Sequence, residues 1–73
     1  MAKLPVISGA QTVRVFEKAG WAQDRRRGSH VVMLQSGRNA SLSIPQHREL
    51  APGTLRALIR AAGITVDEFV ALL

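Results

Sequence analysis

At 73 residues, with a formal net charge of +5, 47% apolar residues and no cysteine, the chain has the size of a single domain, 1–73, and enough apolar content for a folded core. A domain this small buries only about 60% of the surface its unfolded chain would expose, so modest stability is expected. The missing cysteines exclude a disulfide framework and a thiolate metal site, two histidines without a carboxylate cluster argue against a zinc centre, and no apolar run is long enough for a membrane span.

The opening, Met1 to Val6, lacks the long apolar run of a secretory leader, and the expected compartment is the cytoplasm. After an extended start at Leu4, Pro5 and Val6, Ser8 has the character of a helix N-cap, and Gln11 three residues on completes a capping box. Ala10, Val13, Phe16 and Ala19 recur at spacings of three, which places one apolar stripe toward a core and leaves Arg14, Glu17 and Lys18 to water; Gly20 ends the helix. From Trp21 to Arg26 apolar character fades into charge, as in a strand anchored at its start by a packed indole. Arg27, Gly28 and Ser29 form a turn, and His30 to Gln35 reads as a second strand.

A second reversal falls at Ser36 and Gly37. Arg38 to Pro45 then alternates, with Ala40, Leu42 and Ile44 on one face and Ser41 and Ser43 on the other, the pattern of a sheet covered on one side. On the second strand Val31 and Met33 share the covered face, while His30, Val32 and Leu34 share the other. This predicts a histidine flanked by two exposed aliphatics, a patch that a protein partner would cover. Pro45 to Glu49 reads as a loop carrying His47. Pro52 suits the first turn of a helix whose Leu55, Leu58, Ile59 and Ala62 face the core, with Arg56 and Arg60 outside and Gly63 closing it. Thr65 with Glu68 is a second capping box, starting a short helix whose Val66, Phe69, Val70 and Leu73 want burial. The expected domain is α+β, in the order α-β-β-β-α with a three-stranded antiparallel sheet and a short C-terminal helix.

The charge is concentrated. Between Arg25 and Arg60 lie seven arginines against one acid, Glu49. Guanidinium suits planar, bidentate recognition of phosphate, and a surface of one sign attracts polyanions, so nucleic acid is the first partner to consider; an acidic protein would use the same field. The densest stretch runs from Arg25, Arg26 and Arg27 through Gly28 and Ser29 into His30. Three phosphate-binding side chains, a glycine that permits tight reversal and an imidazole, which ordinarily titrates near neutrality, form the inventory of a small ribonuclease. The same residues also read as a solvated hairpin edge leading into an ordinary strand histidine.

Four segments in order carry a family likeness: the Arg27-Gly28-Ser29-His30 turn, the strand running into Ile44-Pro45-Gln46-His47, the stretch Glu49-Leu50-Ala51-Pro52-Gly53-Thr54-Leu55, and the ending Ala62-Gly63-Ile64-Thr65-Val66-Asp67-Glu68-Phe69. Together with Leu4-Pro5-Val6-Ile7-Ser8-Gly9 they resemble the HicA toxin family of prokaryotic toxin–antitoxin systems over nearly the whole chain. The resemblance implies a fold like the double-stranded-RNA-binding domain and an endoribonuclease that degrades messenger RNA. It implies a catalytic histidine at His30 and a HicB-type antitoxin that covers the site. Some members carry a second histidine or an aromatic where this chain has Val31, so no paired-histidine mechanism follows from that position. His47 matches a histidine frequent after the third strand.

RNA carries its own nucleophile, the 2′-OH, so one imidazole can supply one proton transfer, typically for a gain of roughly a hundred- to ten-thousand-fold. His30 is the candidate base or acid and His47 a candidate for the complementary role. Arg26 and Arg27, helped by the N–H groups around Gly28, are candidates to neutralise charge on the phosphoryl oxygens. Arg25, Arg26, Arg27, Gly28, Ser29, Arg38 and Arg48 make up the expected RNA-binding set, with no cofactor and no metal. A non-catalytic RNA-binding module of the same fold is the alternative. Such modules usually start their last core helix with a lysine cluster, whereas this chain has Ala51-Pro52-Gly53-Thr54.

Overall fold

A computed structural model describes residues 2–73; Met1, where the stretch read for a leader begins, lies outside the described residues. Local chemistry sets the first helix, α1 (Gly9–Lys18). Ser8 is extended; its Oγ accepts from the Gln11 N–H at 3.1 Å and its own N–H donates to Gln11 Oε1 at 2.9 Å. The reciprocal pair satisfies two N–H groups that a helix start otherwise leaves unbonded.

Three antiparallel strands follow, β1 (Ala22–Arg27), β2 (His30–Leu34) and β3 (Leu42–Pro45), in the spatial order β1-β2-β3. Val31 pairs with Ile44 and Met33 with Leu42, which puts these four apolar side chains on one face. The helices cover that face: α1 and α2 (Pro52–Ala61) pack on the sheet, and α3 (Val66–Ala71) packs on α2. Phe16 of α1 and Phe69 of α3 meet edge to face, ring centroids 5.3 Å apart, at the centre of a core that also takes in Trp21, Leu55, Ile59 and Ala62. Thr65 and Glu68 form the second capping box, and Pro52 stands at the start of α2. The architecture is the expected α+β arrangement, and a likeness to the double-stranded-RNA-binding domain is consistent with it.

Several expectations shift. On α1 the buried residues are Gly9, Thr12, Val13, Val15 and Phe16, while Ala10 is exposed. The helix buries a wider stripe than a spacing of three describes, because the core meets it on the β1 side, the β3 side and through Phe69. Arg27 belongs to β1 and not to the turn, and β2 ends at Leu34, short of Gln35. The third strand begins only at Leu42: the Arg38 N–H closes a turn onto the Gln35 carbonyl at 3.1 Å, and the ladder with β2 starts at the Met33–Leu42 pair. Alternation from Arg38 to Ser41 therefore has no strand beside it. Val32, expected in solvent, is 6% exposed although it lies on the face away from the helices. It sits on the central strand, paired with Arg25 of β1 on one side and Ser43 of β3 on the other, so it has a neighbouring strand on both flanks. Leu34, at the strand end, is 43% exposed as anticipated, and Leu73 remains 54% exposed, so it does not complete the α3 stripe.

Candidate active site

The β1–β2 hairpin closes on two residues. Arg27 and His30 are cross-strand partners, and Gly28 and Ser29 span them, with φ of +58° at Gly28 and a negative φ at Ser29. Positive φ at the first central position alone is the signature of a type II′ turn, which matches strand twist and favours glycine there. A Cβ on Gly28 would meet nothing within 4 Å, so the glycine answers to backbone conformation and not to crowding.

His30 is the first residue of β2 and is half-buried on the outer face. Its neighbours across the ladders are Arg27 on one side and the buried Pro45 on the other. Directly opposed side chains have Cβ atoms about 5 Å apart, and diagonal ones about 7–8 Å, so Arg27 and then Arg25 are the nearest cations of β1 on that face. Arg25 is also paired with Asp24 at 2.6 Å, an exposed contact. Arg26 stands opposite Val31 and so belongs to the helix-facing side of the sheet. The arginine triplet is thus divided, two with His30 and one behind it.

A second strand end is fastened to the turn. The Gln46 N–H donates to the Ser29 carbonyl at 2.7 Å, one step past the His30–Pro45 pair, and the His47 carbonyl accepts from the Gly9 N–H at 2.9 Å. The hairpin turn, the end of β3 and the start of α1 are therefore held together at one end of the sheet. His47 and Arg48 are exposed in the loop that leaves this junction. Arg38 lies at the other end. Its guanidinium carbon is 5.7 Å from the Trp21 ring centroid, and its Nη2 donates to the Ala61 carbonyl at 3.3 Å, which ties the β2–β3 loop to the C-terminus of α2.

Gly9 is the residue of this junction that sequence reasoning passed over. A Cβ there would collide with the Pro45 carbonyl oxygen and lie 2.8 Å from Gln46 Cα. Its signal was available: a glycine placed directly after a helix cap, where no turn requires it, marks close backbone approach. Among the described residues no three His, Cys, Asp or Glu side chains gather into a cluster able to hold a metal ion, and no helix is long and apolar enough to cross a membrane.

No curated protein matches the chain. A family model described as the HicA toxin of bacterial toxin–antitoxin systems matches residues 9–64, from the start of α1 to just beyond the C-terminal turn of α2, and so spans every element that meets at His30.

Proposed function

The chain belongs to the HicA toxin family of bacterial toxin–antitoxin systems, and from that premise we propose that it is a metal-independent endoribonuclease that cleaves messenger RNA and so stops translation. One observation supports the reading above the others: the register sets His30 on an open sheet face beside Arg27 and Arg25, with the His47 loop fastened to the same turn.

In this reading a phosphodiester lies along the outer face with its phosphoryl oxygens at Arg27 and Arg25. The 2′-oxygen loses its proton as it attacks phosphorus in line, and the P–O5′ bond breaks as that oxygen gains a proton. The products are a 2′,3′-cyclic phosphate and a free 5′-OH, with no water consumed. His30 performs one of the two proton transfers. His47, exposed on the neighbouring loop, is the candidate for the other. The Gly28 and Ser29 N–H groups lie within the turn, where they can add hydrogen bonds to charge developing on the phosphate. Arg48 extends the cationic surface on the same end, whereas Arg38 at the far end would serve RNA only over a longer footprint.

A toxin of this family is paired with an antitoxin. We assign that role to a HicB-type protein that covers His30, and place both proteins in the cytoplasm. The test is cleavage of end-labelled single-stranded RNA by purified protein in EDTA, beside His30→Ala with its circular dichroism checked. The expected result is cutting by the wild type alone, leaving a cyclic phosphate. Equal cutting by both proteins removes His30 from the chemistry. Binding without cutting by either leaves the non-catalytic RNA-binding module.

A further inference from the structure

Alternation along β1 sends Arg26 away from its neighbours, into a cleft of about 230 Å³ between β1 and α1. Arg14 lines the helical wall and Arg26 the strand wall, Val13 and Val31 contribute apolar lining, and Gln23 and Glu17 meet there through a hydrogen bond from Gln23 Nε2 to Glu17 Oε2 at 3.3 Å. Among the described residues the ion pair formed is Arg25 with Asp24, so neither Arg14 nor Arg26 has a carboxylate partner within 4.0 Å. Two unpaired guanidinium groups facing one cleft repel each other when it is empty. An anion between them turns that repulsion into attraction, and guanidinium is suited to grip a phosphate through two N–H groups at once.

The cleft and His30 lie on opposite faces of the sheet, separated by the edge of β1. All six residues of that strand are exposed, and it is paired only with β2, so no element of the fold blocks a path around the edge. We propose that the cleft is a second RNA subsite: the strand cut at His30 turns over the edge of β1 and lays a flanking phosphodiester between Arg14 and Arg26. The inference rests on RNA being the substrate. It also specifies the form of RNA, because a single strand can turn sharply about its backbone torsions while an A-form duplex cannot fold around the edge of a sheet. Glu17 works against the anion. Two arginines and one glutamate leave a single positive charge on these side chains, and removing the carboxylate strengthens the subsite.

Fluorescence anisotropy with a labelled single-stranded oligoribonucleotide tests this, on His30→Ala protein so that no cleavage intervenes, with circular dichroism on each variant. Arg14→Gln and Arg26→Gln each weaken binding roughly three- to fivefold and lower the slope of log affinity against log salt by about 0.7. Because both hold one phosphate, the second substitution costs less than the first, whereas Arg14→Gln and Arg56→Gln on α2 add independently. Glu17→Gln tightens binding. The proposal is overturned if Arg14→Gln and Arg26→Gln lose no more affinity than Arg56→Gln, or if their effects simply add. In that event His30-dependent cleavage by the wild type continues, and only the path of the RNA is wrong. If the wild type neither binds nor cuts the oligoribonucleotide, the ribonuclease reading fails and the subsite with it.

Discussion

Gly9 and Gly28 both lie at the candidate site without a side chain, for opposite reasons. Gly28 needs none because its φ of +58° is a conformation that L side chains adopt at a cost of about 1–2 kcal/mol, although space is free around it. Gly9 has an ordinary backbone but no room, since its Cβ would press on the backbone of Pro45 and Gln46. Gly28→Ala should therefore lower stability by about 1–2 kcal/mol and reshape the turn that carries His30. Gly9→Ala should cost about 3 kcal/mol, the upper range for overpacking, because neither a strand end nor a helix start can step aside cheaply. Urea denaturation of the two variants checks the order. The Gly9 variant, which pushes the start of α1 off the His47 loop, should also change cleavage if His47 takes part.

At the scale of elements, the parts set by neighbours in sequence were the most legible. The Ser8–Gln11 and Thr65–Glu68 boxes depend on side chains three residues apart and stand as anticipated; Ser8→Ala should cost about 1 kcal/mol in a thermal melt. The stripe of α2 was equally plain, because Leu55, Leu58, Ile59 and Ala62 all turn to one core. What failed depended on partners remote in sequence. Alternation from Arg38 to Ser41 looks like strand, yet β3 exists only where β2 lies beside it, and Arg38 is drawn instead toward Trp21 and Ala61. Arg38→Ala should thus lower stability by about 0.5–1 kcal/mol on the cation–π contact alone. Val32 is buried by strands on both flanks, which alternation cannot register. The division of the arginines follows from period-two geometry, but only after Arg27 is known to face His30. A block of three arginines, read as composition, carried no hint that its middle member serves a different face.

For the molecule as a whole, a typical 0.05–0.15 kcal/mol per residue gives roughly 4–11 kcal/mol of stability. Phe69 is fully buried against Phe16 and holds the short α3 to the rest, and Phe69→Ala should remove about 3–5 kcal/mol, a large share of that total. Circular dichroism should show the variant melting far below the wild type, and an antitoxin that binds only the folded toxin should raise its melting temperature. The ladder between β1 and β2 also contains an irregularity: Gln23 faces Met33 and Arg25 faces Val32, so Asp24 is a supernumerary residue in β1. Such a bulge bends the free edge of a sheet, and here Asp24 and three arginines, one of them paired with it, add charge along that edge. The opposite edge, β3, is only four residues long and ends in proline. A small sheet with two open sides is a template for end-on growth into fibrils, and both sides of this one are spoiled for that purpose. Deleting Asp24 would leave every other pairing in phase and straighten the edge. Combined with Arg25→Thr and Arg27→Thr, it should yield a chain that still folds but scatters light and stains as amyloid on standing, while the wild type stays clear.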